Sequence, residues 1–325
     1  MSRLTAAKKI YAMSKKLHEL RGGSTYKYFR DAVNCSKKHG ASPENYFVLR
    51  FFELNETERA TYLTSGRSKK LDSILNLNAT ETEKQKIGHK SLFNSEFKGL
   101  VNRDFIFAPS ADFKKFLDFI SKHREFIVKP DTGTMGRGVE KKFSNEIGDL
   151  DSFYTYCCEN KILLEEVITQ HEALNRINPY CINSVRINAA RSSKEIKLIG
   201  ACIKCGTGEK VSDNFHAGGI AYPVDLDTGI ISGPGRNNTD LNEYEYHPVN
   251  KIHMLGLQIP YWKEIKNTVI TGMELVPSLG YIGWDIAVTP DGPEIIEGNY
   301  SWPGGNIIQF DRVGKYPLLL SCCGE

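Results

Sequence analysis

The sequence lacks any apolar run that approaches the roughly 20 residues needed to span a bilayer. Its start, residues 1–9, lacks an uninterrupted apolar segment followed by small residues, so we expect no secretory signal. Internal repeats and low-complexity tracts are also missing. These absences favour a globular cytoplasmic protein, and 325 residues of which 40% are hydrophobic can bury one large core or two smaller ones.

The eight cysteines do not have the spacing of a disulfide framework in a small secreted domain. Cys202 and Cys205 form a C-x-x-C, but in a strand their sulfurs would point to opposite faces. No second pair stands at zinc-finger spacing. We therefore expect reduced thiols, with neither a zinc nor a redox role.

Three familiar catalytic signatures are absent as well. No G-x-G-x-x-G opens a helix after a first strand, no glycine-rich loop ends in Gly-Lys-Ser/Thr, and no Ser-His-Asp nucleophile arrangement is recognisable. The first absence excludes a Rossmann domain and the second a Walker A loop.

Charge is unevenly distributed along the chain. Residues 1–100 contain 19 Lys and Arg against 10 Asp and Glu, whereas the remaining residues contain 23 against 29. Within residues 1–40 the count is ten basic to two acidic, around a helical apolar stripe. One interpretation is a helix that packs its stripe on the domain and keeps its lysines in water. The other is a reversible contact with anionic lipid at the inner face of the membrane. We expect no nucleic-acid partner.

The chain divides into two regions. Residues 1–85 are predicted to form helices separated by polar turns, for example at Gly22-Gly23-Ser24. From residue 86 onward, strands alternate with helices, including a predicted helix over residues 111–122. The second region, residues 86–325, carries every candidate catalytic residue.

An acidic hairpin is the most informative motif. Asp285 lies in an apolar, β-rich run, and Glu297-Gly298-Asn299 follows the turn at residues 289–293. In an extended chain Glu297 and Asn299 point to one side, so three oxygen ligands converge. A hard cation such as Mg²⁺ that is shared with phosphates needs such a small ligand set. The alternative is a solvated acidic surface.

A glycine-rich flap lies upstream. Residues 126–130 are predicted as a strand that ends near Lys129, residues 131–138 form the flap, and a second strand covers residues 139–143. Backbone N–H groups in such a flap can approach phosphate oxygens, and Lys129 can add a point charge. By itself, the pattern is also typical of a simple tight turn.

A third motif follows the flap. Residues 161–168 are predicted as a strand whose edge, at Glu165, Glu166 and Val167, can offer backbone groups to an adenine ring. Glu172 lies seven residues beyond Glu165, within reach of ribose hydroxyls.

The order of a lysine, Lys-Pro with a glycine flap, a Glu-Glu hinge, an aspartate and Glu-x-Asn resembles the ATP-grasp superfamily over about residues 86–310. The resemblance implies an α+β fold in which a flap subdomain, about residues 120–168, and a metal-binding subdomain, about residues 180–310, clamp ATP between largely antiparallel sheets. It implies ATP and two Mg²⁺ ions as cofactors, with Mn²⁺ as an alternative ion. The implied nucleotide-binding residues are Lys90, Lys129, Gly133, Thr134, Gly136, Gly138, Glu165, Glu166, Val167 and Glu172, and the implied metal ligands are Asp285, Glu297 and Asn299.

A narrower resemblance covers residues 178–187, 213–220 and 283–292, which are similar to the sugar-transfer-associated ATP-grasp proteins. It implies a role in cell-surface polysaccharide or capsule biosynthesis. Many ATP-grasp ligases carry an arginine shortly before the metal aspartate, where this chain has Gly283 and Trp284. We expect Arg186, on another strand, to contact phosphate in place of that arginine.

Further candidates surround the substrate. Arg186 has a planar fork that suits a carboxylate or acyl-phosphate, although a surface or ion-paired arginine is the alternative. His216, which with Arg186 and Lys129 is a candidate catalytic residue, lies beside two glycines that permit close approach of a ligand, and the alternative is a structural histidine. Trp302 is predicted to lie in a loop that closes over the site, and the alternative is an aromatic side chain that only packs against the protein. The remaining candidate substrate-binding residues are Asn183, Ser184, Asn214, Gly218 and Gly219.

The expected activity is that of an ATP- and Mg²⁺-dependent carboxylate–amine ligase that forms an amide through an acyl-phosphate. The expected substrates are a sugar or uronic acid, free, lipid-linked or in a polysaccharide precursor, and an amino acid or amine. Two alternatives remain at this point: a kinase that phosphorylates a sugar-like hydroxyl, and a nucleotide-binding regulatory protein without turnover.

Overall fold

In the computed structural model, the residues described are 3–133, 137–208, 213, 215–301 and 303–324. The described chain begins with helices and continues into two antiparallel sheets that carry further helices. The helices of the first part are α1 Arg3–Arg21, α2 Thr25–His39, α3 Pro43–Val48, α4 Glu56–Thr61, α5 Ser65–Leu75, α6 Glu81–Gly88 and α7 Lys90–Glu96. Helices therefore continue past residue 85 as far as Glu96.

Local signals explain where these helices start and stop. The Ser24 side chain accepts a hydrogen bond from the backbone of Lys27 and caps α2. Gly40 ends α2 in the left-handed conformation, with φ 65°, and its Cα lies against Gly66, where an added Cβ would approach to 3.2 Å. Ser42 and Asn45 then form a capping box at α3. This close turn brings α2 and α5 together.

The smaller sheet has the strand order β1-β4-β2-β3 and is antiparallel throughout. Helices α8 and α9 pack on it around a core that contains Phe116, Phe126, Cys157 and Leu164. Asp112 caps α8, which therefore begins two residues later than the predicted start at residue 111. The bounds are β1 Phe105–Phe107, α8 Phe113–Lys122, β2 Glu125–Pro130, β3 Glu140–Phe143, α9 Leu150–Glu159 and β4 Ile162–Glu166.

The larger sheet is also antiparallel, with the order β7-β6-β5-β8-β9. The short helix α10 precedes it, α11 lies between β7 and β8, and α12 ends the chain's regular structure. The bounds are α10 Glu172–Asn175, β5 Val185–Arg191, β6 Ile196–Cys205, β7 Ile220–Val224, α11 Trp262–Glu274, β8 Tyr281–Thr289, β9 Gly292–Asn299 and α12 Tyr316–Leu320.

Both faces of the larger sheet are covered, which explains its nearly continuous apolar strands. On one face Trp284 and its neighbours pack with Val269 and Met273 of α11. On the other face Ala190 and Tyr281 belong to the same core as the N-terminal helices. The N-terminal helices are thus part of the packing that holds the larger sheet.

The expected α+β class, with two antiparallel sheets and a helical N-terminal region, is confirmed. Among the described residues, no helix combines the length and the apolar character that crossing a membrane requires.

Candidate active site

A cleft of about 720 Å³ lies between the two sheets. Strands β2, β3 and β4 form one wall, the connection at residues 167–182 continues it, and β9 contributes Ile296 and Glu297 from the larger sheet. The lining contains apolar side chains, among them Ile127 and Ile168, and charged side chains, among them Lys129 and Glu165. A cleft with both kinds of surface suits a ligand that has a flat apolar ring and an anionic tail.

Lys129 and Glu165 form an ion pair inside this cleft. The Lys129 Nζ lies 2.5 Å from Glu165 Oε2, while Asn94 donates a hydrogen bond of 2.6 Å to the other carboxylate oxygen. Burial alone would raise the pKa of Glu165, but the charges of Arg103 and Lys129 outweigh it and hold the pKa at about 2. Burial also lowers the pKa of Lys129. Glu165 therefore positions and neutralises the lysine.

Lys90 lies at the start of α7, beside the flap. Its Nζ donates to the carbonyl oxygen of Gly133 at 3.2 Å. Asp131, the first flap residue, caps α7 by accepting a bond of 2.8 Å from the backbone of Ser91 and contacts His89 Nδ1 at 2.7 Å. Burial lowers the pKa of Lys90, and the negative charges of Glu297 and Asp131 oppose that shift. The helix, both lysines and the start of the flap thus form one connected unit.

The flap itself is described only in part, because the candidates Thr134 and Gly136 lie outside the described residues. Gly133 and Gly138 have φ values of 129° and 71°, which favour glycine. A Cβ on Gly138 would also approach Pro130 to 3.1 Å. Both glycines are therefore required by the backbone path, and Gly133 lines the cleft.

The hinge residues differ in their surroundings. Glu166 and Asp104 bond each other twice, from Glu166 N to Asp104 O at 2.8 Å and from Asp104 N to Glu166 Oε2 at 2.9 Å. Glu166 and Val167 line the cleft. Glu172 lies outside the described lining, on an exposed part of α10, where it pairs with Arg176 at 2.5 Å. The contact of Glu172 with ribose hydroxyls stays a prediction.

The acidic hairpin brings Asp285 and Glu297 opposite each other on β8 and β9. The register then shifts, because Ile286 pairs with Ile295 and leaves Ile296 as an extra residue in β9. This bulge turns both Ile296 and Glu297 to the cleft, whereas regular alternation would turn only one of them there. Asn299 donates a bond of 3.1 Å to Glu297 Oε1.

The carboxylate pair has the chemistry of a hard-cation site. Burial raises the pKa of Glu297, and the charge of Asp285 raises it further. A divalent cation would relieve this repulsion, and two carboxylates with one amide suit Mg²⁺ that takes its other ligands from phosphates and water. Within the part of the chain that the structure describes, no group of three or more His, Cys, Asp and Glu side chains could hold a metal by itself. Asp285, Glu297 and Asn299 form a small oxygen-ligand set, and their chemistry fits an ion that is shared with phosphates.

Arg186 forms a buried ion pair with Asp285 in this structure. Its Nε and Nη2 donate to the two carboxylate oxygens at 2.7 and 2.6 Å, and its Nη1 donates to the carbonyl oxygen of Pro303 at 2.9 Å. Lys204 Nζ adds a contact of 3.0 Å to Asp285 Oδ1. Burial would raise the pKa of Asp285, but Arg186 and Lys204 outweigh it and keep the pKa low. A grip of Arg186 on a substrate carboxylate would require Asp285 to release it.

The predicted substrate-binding residues are only partly brought together. Asn183 is fully buried and donates to the carbonyl oxygens of Leu174 and Asn178, at 3.0 and 2.9 Å, which is a structural role. Ser184 bonds Asp213 through both its backbone and its hydroxyl. These two residues hold the start of β5 against neighbouring segments.

Three other candidates, His216, Gly218 and Gly219, lie outside the described lining of the cleft. His216 stands in a short helical turn with its Nδ1 3.2 Å from Asn238 Nδ2. Gly218, with φ 99°, accepts a bond of 3.0 Å from the Thr207 hydroxyl, and Gly219 follows it. Asn214 and Trp302 lie outside the described residues.

Sequence reasoning missed several residues that the fold brings to the cleft. Asp213 and Tyr180 line it, and Lys204 lies behind Asp213 at 3.8 Å. Arg103 joins the two sheets: it contacts Glu165 at 3.3 Å and Glu294 at 2.6 Å. Lys204 is a charged residue near the end of the mostly apolar run of β6, and this contrast was the one sequence feature that could have indicated a functional role for it.

Comparison with known proteins places this geometry in a family. A model of the sugar-transfer associated ATP-grasp family matches residues 97–313, and the chain belongs to that family. No curated protein matches the chain.

Solved structures of ATP-grasp enzymes are similar at low identity. N5-carboxyaminoimidazole ribonucleotide synthetase with ADP matches at 12% identity over 66% of this chain and 45% of that chain, with a TM-score of 0.43. D-alanyl-alanine synthetase A from Vibrio cholerae O1 biovar eltor matches at 11% over 80% and 72%, with 0.47. The ATP-grasp ligase PsnB, with a variant precursor, Mg and ADP, matches at 14% over 84% and 70%, also with 0.47. This chain thus spans less than half the length of the first.

Proposed function

We propose that the protein is an ATP- and Mg²⁺-dependent ligase that joins a carboxylate to an amine. The observation that carries the proposal is the cleft of a chain in the ATP-grasp family, which Lys90, Lys129 and Glu297 all line and in which Glu297 is paired with Asp285. Cations and a hard-cation site in one cleft are what a polyphosphate needs.

The nucleotide lies along the cleft in this proposal. The adenine packs among Ile127, Ile168 and Ile296, against the end of β4 at Glu166 and Val167. The phosphates extend toward Lys90 and Lys129, where the flap covers them. When no nucleotide is bound, Glu165 keeps the Lys129 ammonium in place, because the ion pair stays buried.

Asp285, Glu297 and Asn299 would hold Mg²⁺, and the ion would supply positive charge to the phosphates of the nucleotide. Arg186 and Lys204 fix the Asp285 carboxylate from behind. They act as positioning residues in the proposal, since their polar atoms contact Asp285.

The reaction then has two steps. A substrate carboxylate oxygen attacks the γ-phosphorus, the bond to the bridging oxygen breaks, and ADP leaves. The nitrogen of a neutral amine next attacks the carbonyl carbon of the acyl-phosphate. The carbon–oxygen bond to the phosphoryl group breaks, inorganic phosphate leaves, and the nitrogen gives its proton to a base.

Asp213 is the base in this proposal. It lines the cleft, as Tyr180 and Glu297 do, and one of its carboxylate oxygens accepts a hydrogen bond of 3.0 Å from the backbone N–H of Ser184. Burial raises the pKa of Asp213, which strengthens it as a proton acceptor.

The carboxylate substrate is a sugar acid in the proposal, and the amine is an amino acid or another small amine. The family's description as sugar-transfer associated supports this choice. Tyr180, with 53% of its surface exposed, offers an aromatic face in the cleft, and Gln170 lines the cleft nearby. An aromatic face with polar groups beside it suits a pyranose ring.

A screen for ADP release tests the proposal. Uronic acids are paired with amino acids and amines in the presence of Mg-ATP, and mass spectrometry identifies the product. We expect one pair to release ADP and phosphate and to yield an amide without phosphorus. A product that keeps phosphate on a hydroxyl would establish a kinase instead.

The variant Asp213→Asn separates the two steps. It should lose amide formation with the amine by about 100-fold. Hydroxylamine is largely unprotonated at neutral pH and needs less help from a base, so the variant should still form hydroxamate at a rate close to that of the unchanged protein. Equal losses with both nucleophiles would remove Asp213 from the role of base.

A further inference from the structure

The first two helices turn a basic surface away from the body of the protein. Ile10, Ser14 and Leu17 form the buried side of α1, and Ala32, Cys35 and His39 form that of α2. Because a helix has 3.6 residues per turn, these buried positions determine which residues lie on the outward side of each helix. That outward side carries most of the exposed lysines and arginines of this region.

One row on α1 combines lysines with large apolar side chains. Leu4, Lys8, Tyr11 and Lys15 recur at intervals of four, three and four residues, so they lie in one line along the helix. Leu4 is 68% exposed and Tyr11 is 59% exposed. Exposed leucine and tyrosine beside lysine is the composition of a helix that lies in the interface of a membrane.

A similar row stands on α2. Tyr26 is 69% exposed, Arg30 lies over its ring at 6.0 Å, and Lys37 is exposed two turns further along. Lys27 lies beside this row and is exposed too. We call the outward surface of α1 and α2 the basic helical face, formed by Leu4, Lys8, Tyr11, Lys15, Tyr26, Lys27, Arg30 and Lys37.

The acids nearby do little to neutralise this face. Asp31 accepts hydrogen bonds from Arg59 at 2.7 and 2.9 Å and from Tyr46 at 2.8 Å, so its negative charge is paired with Arg59. Glu19 stands 3.9 Å from Lys15, at the limit of an ion pair. Within the described residues, Lys8, Lys27 and Lys37 have no acid within ion-pairing distance. The face therefore keeps a strong positive charge.

We propose that the basic helical face docks on an anionic lipid bilayer. Charge complementarity selects an anionic partner, and the exposed Leu4, Tyr11 and Tyr26 favour lipid because their apolar parts enter the boundary between headgroups and acyl chains. Nucleic acid needs no such apolar row, and its binding is a separate outcome of the test. The proposal stands independently of the chemistry in the cleft.

Sedimentation with vesicles tests the docking. The full chain is mixed with vesicles of phosphatidylcholine alone, or of phosphatidylcholine with phosphatidylglycerol, at low and at high salt. We expect binding to the anionic vesicles only, with a marked loss at high salt because exposed charges are screened beyond about 3 Å at 1 M salt.

Two variants and a matched control locate the surface. Lys8→Glu with Arg30→Glu and Lys37→Glu should weaken vesicle binding by about 100-fold. Leu4→Ser with Tyr11→Ser should weaken it by about tenfold without any change of charge. The control carries the same change of charge at exposed positions elsewhere, namely Lys70→Glu, Lys114→Glu and Lys263→Glu. Circular dichroism verifies that each variant is folded.

Equal vesicle binding by the face variant and the control variant would overturn the proposal. So would equal binding to neutral and anionic vesicles. Binding to a DNA duplex in the absence of vesicle binding would overturn it as well, and would identify nucleic acid as the anionic partner. None of these outcomes depends on ligase activity, so they leave the proposed function to its own tests.

Discussion

Arg186 on β5 holds Asp285 of the neighbouring strand β8 with two parallel hydrogen bonds, from Nε to Oδ1 at 2.7 Å and from Nη2 to Oδ2 at 2.6 Å. The two residues face each other in the strand register. This paired geometry is specific to a guanidinium, because an ammonium cannot present two parallel donors. It fixes the direction of one carboxylate of the candidate metal pair.

The first prediction concerns Arg186→Lys. The variant keeps the charge but loses the fork, so turnover should fall by about 10- to 100-fold, while ATP affinity without Mg²⁺ stays unchanged. Rates of ADP release and calorimetric titrations measure the two effects. Arg124→Lys makes the same substitution at an exposed position and should have no effect. Full turnover of folded Arg186→Lys would argue against a positioning role.

The second prediction concerns Lys129. Lys129→Met should weaken ATP binding by more than tenfold and adenosine binding much less, because the lost contact is to phosphate. It should also lower stability by leaving the Glu165 carboxylate with less compensation in the interior. The double variant Lys129→Met with Glu165→Gln should recover part of the stability but not the ATP affinity. Equal losses for ATP and adenosine would remove Lys129 from the phosphate site.

The third prediction concerns Glu297. Glu297→Gln should lower turnover by at least ~100-fold and should abolish the effect of Mg²⁺ on ATP affinity, because a carboxylate of the ion site is lost. Titrations of ATP with and without Mg²⁺ measure this effect. Glu274→Gln, at an exposed position on α11, is the control. A Glu297→Gln protein that still binds ATP more tightly with Mg²⁺ would disprove the assignment.

The fourth prediction concerns pH and Glu53. Burial would raise the pKa of Glu53, but Arg50, Arg21 and Arg312 outweigh it and lower the pKa to about 2. A lowered carboxyl pKa contributes stability that is present above its ordinary value near 4.5 and is lost as pH falls toward 2. Glu53→Gln should therefore cost about 1 kcal/mol near pH 6 and much less near pH 2.5. Urea unfolding at both values measures this, and a constant difference would contradict it.

Several features of the site could be predicted from the sequence because the residues that form them are close together in the chain. The hairpin between β8 and β9 has only Pro290 and Asp291 between its strands, and the composition of this turn is visible in the sequence. The flap between β2 and β3 is local in the same way. The sequence pattern therefore indicated Asp285, Glu297 and Lys129 without any knowledge of the tertiary structure.

The partners of these residues could not be predicted from the sequence, because they lie in distant segments of the chain. Arg186 is 99 residues from Asp285, and Arg103 is 191 residues from Glu294. Periodicity specifies which face a side chain occupies, but it does not specify which strand lies beside it or in which register. The bulge at Ile296 is invisible for the same reason, since it exists only relative to β8.

The central claim is that the cleft activates a carboxylate as an acyl-phosphate. The most direct measurement uses a carboxylate substrate labelled with a heavy oxygen isotope, together with Mg-ATP and the amine found in the screen. If the carboxylate attacks the γ-phosphorus, one labelled oxygen leaves with the inorganic phosphate when the amide forms, and mass spectrometry should find that label in the phosphate. Amide formation that yields only unlabelled phosphate would contradict the account.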